Sequence, residues 1–129
     1  MPVTPMQIME VADAITSESS TEATLRTAAS RSYYSLYHHA LEFADNDSDV
    51  PISNLAGPTH RKLSEYFSSS VAHPDWRRKA MRRAGILLRK CHDSRCYADY
   101  SISEPFDEDV LKVMRHDCQK AIGVIEGME

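Results

Sequence analysis

Leu111, Met114, Cys118, Ile122 and Ile125 recur in steps of three and four near the end of the chain. That spacing places them on one side of a helix turning about 100° per residue, and a strand could not bury them together because its side chains alternate faces. The same signature returns upstream. Leu25, Ala29, Tyr33, Leu36, Ala40 and Phe43 share one arc, Ala80, Ala84, Leu87 and Cys91 another, and Ile8, Val11, Ala12 and Ile15 a third. No run of alternating β-branched residues competes with this pattern, and glycines number only four. The chain is therefore predicted to be all-α, with five helices in one domain over residues 1–129.

The first helix is expected from about Thr4 to Thr16. SESSTE then ends it and starts the second, with Ser19 and Glu22 spaced as a capping box, and the second runs to about Ala44. DNDSDVPISNLAGP reads as a loop. A third helix covers about His60 to Ser69 with Leu63, Tyr66 and Phe67 inward, and His73 and Pro74 break the chain before a fourth from about Asp75 to His92. SRCYADYSISEP reads as irregular, with Pro105 restarting the helix.

Charge is spread unevenly. Residues 77–95, RRKAMRRAGILLRKCHDSR, hold eight of the fifteen Lys and Arg against the single Asp93, a local +7 that leaves −11 for the rest of a chain whose total is −4. A concentration of cations with almost no acid beside it in sequence points to an anionic partner, either RNA or an acidic protein, against the plainer reading of a solvated helix face. Arg78, Arg82, Arg83, Arg89 and Lys90 are the RNA-binding candidates. Such a patch supplies affinity without sequence specificity.

Three cysteines, an odd number, and an N-terminus MPVTPMQIME without a basic region followed by an apolar run predict a soluble protein of a reducing cytoplasm. No apolar stretch approaches the roughly 20 residues of a membrane span, so no membrane partner is expected. Cys91, His92 and Cys96 with His38, His39 or His60 match no common zinc spacing, and Cys91 lies on the core stripe. Neither a metal nor a cofactor is expected.

RSYYSLYHHA, residues 31–40, raises a separate question, because tyrosines and histidines are awkward core fillers whose polar atoms need partners. Arg31, Tyr34, His38 and Leu41 step by three, four and three along the arc opposite the core face. Two readings are open. Tyr34 and Leu41 cover a neighbouring helix while Arg31 and His38 are solvated, or the whole second face meets a partner or substrate.

This helix, the T-H-R-K-L that follows the loop, and R-C-Y-A-D-Y at 95–100 before a final amphipathic helix together resemble a small HEPN domain. The closest likeness is to the compact branch with an R-x-x-Y-Y-x-x-F-H helix and a later R-x-x-A-D-Y, and it extends in order from Ala23 to Glu126. The resemblance implies a four- to five-helix antiparallel bundle that forms a homodimer, with polar residues of both protomers lining one cleft. It implies a metal-independent endoribonuclease of a bacterial toxin–antitoxin or anti-phage defence system, partnered by a nucleotidyltransferase-like or other defence protein. The alternative within the same likeness is an inactive module serving as an RNA-binding or protein-docking subunit. The family's usual signature is Arg, four to six residues, then His. After Arg95 no histidine stands at that distance, whereas Arg31 and His38 meet the spacing on the earlier helix.

Cutting RNA without metal needs a base for the 2′-hydroxyl, an acid for the leaving oxygen and cations for the phosphate. His38 is the candidate base, since imidazole titrates near neutrality, with Tyr100 or His92 from the turn of Arg95 next if His38 proves dispensable. Arg95 is the candidate phosphate clamp and Arg31 a second one. Asp99 would hold Arg95 or a backbone amide, and Tyr100 would donate to the phosphate or stack on a base. An Arg95–Asp99 pair serving only as a structural tie is the competing reading.

Overall fold

The computed structural model describes residues 3–15, 21–68 and 74–129. Five helices and no strand are present among them: α1 (Pro5–Ile15), α2 (Glu22–Asp47), α3 (Thr59–Ser68), α4 (Asp75–Tyr100) and α5 (Glu108–Glu126), with a 3₁₀ turn at Ile52–Asn54. The expected all-helical bundle is the one observed. α2 is the central element and packs against all four other helices, while α4 also meets α3 and α5. No helix among the described residues is long and apolar enough to cross a membrane.

All six residues of the predicted α2 core arc are buried, with Leu36 and Ala40 fully enclosed, because a helix in the middle of a bundle must offer an apolar stripe to each neighbour. From α5, Leu111, Met114, Cys118 and Ile125 are buried and Ile122 packs at the edge. From α3, Leu63 and Phe67 are buried, and Tyr66 is half-buried with its hydroxyl donating to Asp47. α1 differs from expectation. Its buried residues are Met9 and Ala12, while Val11 is largely exposed, so the helix is rotated relative to the stripe read from its sequence.

The boundaries carry larger corrections. Thr21, not Ser19, caps α2: its side chain accepts from the Thr24 amide at 3.2 Å, in the extended conformation a capping residue adopts. Ser19 itself, with Thr16, Ser69 and His73, lies outside the described residues. α2 also continues three residues past Ala44. Gly57 at φ +105°, a conformation open mainly to glycine, turns the chain into α3.

The main correction concerns R-C-Y-A-D-Y. It is not irregular; α4 runs unbroken to Tyr100, and α5 starts at Glu108 behind an Asp107 cap rather than at Pro105. Leu88, Cys91, Arg95 and Ala98 form the buried register of this half of α4, so an arginine occupies a core position and interrupts the hydrophobic pattern that would have revealed the helix. Where α4 passes α3 the helices approach closely at Gly85, whose missing Cβ would stand 3.1 Å from the Phe67 Cβ.

Candidate functional site

Because the helix continues, His92, Arg95 and Asp99 fall at steps of three and four on one face, which turns toward Tyr33 and Tyr34 of α2. The Arg95 side chain is 9% exposed. Its guanidinium carbon lies 5.6 Å from the ring centres of Tyr33 and Tyr34 and 5.8 Å from that of Tyr100. Nη1 donates to Asp99 Oδ2 at 3.2 Å, and Nη2 approaches His92 Nε2 at 3.5 Å. Asp99 also accepts from the Ser30 hydroxyl of α2 at 3.3 Å. Burial works against the charge on Arg95, but hydrogen bonds with Asp99 and Tyr100 outweigh it and hold the guanidinium protonated. The Nε of Arg95 is buried and has no hydrogen-bond partner.

A second polar group adjoins the first. The Tyr33 hydroxyl lies 2.6 Å from His60 Nδ1, and the His60 and His92 rings are 4.7 Å apart at their centres. Burial pushes the Tyr33 phenol well above its ordinary range, so it remains a hydroxyl. Donating that proton to Nδ1 satisfies both groups, and this assigns the proton of neutral His60 to Nε2. Burial, then the neighbouring His92 and Arg95, lowers the pKa of His60 below its usual 6.5. His60 is therefore uncharged at neutral pH.

The residues singled out from sequence divide into two sets. Arg95, Asp99 and Tyr100 are together at the end of α4. Arg31 joins them through Tyr34, over whose ring its guanidinium sits at 5.0 Å. His38 does not reach Arg95: it is exposed, touches the Tyr37 and Tyr34 rings, and lines a groove with Ile8 and Leu41 on the α1 side of α2. The imidazole beside Arg95 is that of His92. From sequence His92 is only the second choice of base after His38, and His60 has no catalytic role. Reading α4 as continuous exposes the His92–Arg95–Asp99 stripe, but only packing brings α3 and His60 alongside.

The basic run is also partly redrawn. The acids that the local sequence lacks arrive from elsewhere: Asp47 of α2 pairs with Arg77 at 2.7 Å and Asp117 of α5 with Lys90 at 3.0 Å, while Asp75 in the first turn of α4 pairs with Arg78. Arg82 and Arg83 are exposed and form no ion pair among the described residues, and exposed Arg89 makes only a 3.4 Å hydrogen bond to Ser64. Trp76 and Ile86 are exposed on the same helix. The cationic surface is thus narrower than eight residues, centred on Arg82, Arg83 and Arg89.

Among the described residues no group of three or more His, Cys, Asp or Glu is placed to hold a metal ion. No family model, curated protein or solved structure matches the chain.

Proposed function

We propose that the chain binds single-stranded RNA and cuts it without metal at the Arg95 site, as a homodimeric HEPN-type endoribonuclease of a toxin–antitoxin or anti-phage system. The observation that carries this reading is the pairing of a buried, permanently charged guanidinium with an imidazole 3.5 Å away, beside an exposed tyrosine. Arg95 and Arg31 would receive the phosphate, Tyr100 swinging aside or donating to it, and Asp99 with Ser30 holds Arg95 in line. A phosphate oxygen taking the Arg95 donors releases the His92 lone pair, which accepts the proton of the ribose 2′-hydroxyl. The 2′-oxygen attacks phosphorus, the bond to the 5′-oxygen breaks, and that oxygen takes its proton from water as it leaves, while His92 returns the proton it accepted to solvent. The products are a 2′,3′-cyclic phosphate and a 5′-hydroxyl. His92 here replaces His38 as the base.

Single-stranded RNA incubated in EDTA tests this, with product ends identified and light scattering reporting the dimer. Arg95→Ala and His92→Ala should each lower the rate about 10²- to 10⁴-fold, while His38→Ala leaves it near the parent's. A homogeneous, folded protein that cuts no RNA, alone or with its genomic neighbour, refutes the catalytic reading. One observation favours the second reading, a non-catalytic RNA-binding or docking module: Ser30, Asp99 and Arg95 form a hydrogen-bonded chain that joins α2 to α4 and would do so in a purely structural role.

A further inference from the structure

On the side of His92 away from Arg95, a cleft of about 510 Å³ opens between α3 and α4. Tyr33 and Leu88 line it together with His60 and His92, and Ser64 and Arg89 meet across it through their hydrogen bond. The volume falls within the range of small-molecule sites, roughly 300–1,000 Å³. His60 stands 4.7 Å from both Tyr37 and His92 between ring centres, and Tyr33 lies 5.6 Å from both imidazoles. His60 and His92 therefore present adjoining rings to the cleft, backed by the buried Tyr33.

Three properties of this cleft converge on one ligand chemistry. The wall is aromatic, its rings inclined by 32° to 65° to one another, and stacking on ring faces is how proteins hold unpaired bases. Inside it, Tyr33 occupies His60 Nδ1 and turns the Nε2–H into a fixed donor, which calls for an acceptor such as a base carbonyl or ring nitrogen. The margin carries one cation without an acidic partner among the described residues, Arg89 on the exposed face of α4, whereas Arg61, which also lines the cleft, is paired with Glu65 at 3.3 Å. An apolar peptide side chain would leave both the donor and Arg89 unanswered.

We propose that the α3–α4 cleft is a nucleobase pocket, taking the base of a nucleotide whose phosphate lies toward Arg89. Seated there, the base places its ribose near His92, between the pocket and Arg95. That the nucleotide belongs to RNA rests on the ribonucleolytic reading; the pocket itself does not.

Imidazole C–H resonances of His60 and His92 report occupancy as adenosine or uridine 5′-monophosphate is added, with ribose 5-phosphate as the base-free control. Saturable shifts are expected from a nucleotide and none from ribose 5-phosphate. Ser64→Trp, filling the mouth, should weaken nucleotide binding at least tenfold; Pro58→Trp from another part of the rim serves if Ser64→Trp lowers the melting temperature. Within a short RNA, one abasic position should cost about 5- to 100-fold in affinity, the range that a stacked base commands. Equal shifts from ribose 5-phosphate, or unchanged nucleotide binding by both blocked variants, overturn the pocket. RNA that is cut without any penalty from abasic positions overturns it too and leaves the ribonuclease standing. Nucleotide binding by a protein that neither binds nor cuts RNA supports the pocket and removes the ribonuclease.

Discussion

Arg26 decides whether the end of α4, and the site on it, holds its shape. The side chain crosses from α2 and donates through Nη1 to Ala98 O at 2.9 Å and Tyr97 O at 3.3 Å, and through Nη2 to Glu104 O. Tyr97 and Ala98 belong to the last turn of the helix, whose carbonyls have no partner within it, so Arg26 is a helix cap supplied by another helix. Arg26→Met keeps much of the volume and removes the donors. Tyr97 O retains its bond from the Ser101 amide, but Ala98 O, enclosed in the core, loses its guanidinium partner, and Glu104 O must turn to water. A buried acceptor left unpaired costs about 1–3 kcal/mol, and loss of the contact with the Phe106 ring adds about 0.5–1 kcal/mol. The expected total is about 3 kcal/mol, or roughly 10 °C in melting temperature for a domain of this size. Urea unfolding followed by circular dichroism measures it. Glu22→Ala separates the cap from the ion pair: Glu22 is half exposed and one turn from Arg26 on the same helix, so its loss should cost less than about 0.5 kcal/mol. A loss below about 1 kcal/mol for Arg26→Met, or an equal loss for Glu22→Ala, refutes the capping argument.

Two further outcomes are expected. Changing Arg82, Arg83 and Arg89 together to Glu should abolish RNA binding at physiological salt. Neutral substitutions there should flatten the salt dependence of log K by about 2, since each single-strand phosphate contact contributes about 0.7; the same change at Lys90, paired with Asp117, should do much less, and fluorescence anisotropy across a salt series distinguishes them. His60 has its pKa lowered by burial, then by His92 and Arg95, so just below pH 6.5 the folded chain binds fewer protons than the unfolded one. Its contribution to stability is complete above about pH 6.5 and declines as pH falls toward the lower native value; parent and His60→Gln should differ in acid sensitivity across that window, and identical unfolding midpoints at each pH would count against the assignment.

The α2 arc from Leu25 to Phe43 and the α5 stripe from Leu111 to Ile125 were legible in the sequence because burial along a helix repeats every three to four residues whatever the helix packs against. The same rule failed at the end of α4 for a physical reason. Arg95 stands in the core register between Cys91 and Ala98, and its charge breaks the apolar pattern while Asp99 and three tyrosine rings make the burial tolerable. Arg26 hides in the same way, a buried arginine beside Leu25 whose carbonyl partners lie more than seventy residues away. Sequence alone determined that the chain is helical, which apolar arcs of α2 and α5 face inward, and that its cations gather on α4. Only the tertiary structure decided that Asp47 and Asp117 neutralise part of that gathering and that His92 and His60, rather than His38, stand by Arg95. Those pairings depend on how helices distant in sequence are laid side by side, and the periodicity of a single helix carries no information about its neighbour's register.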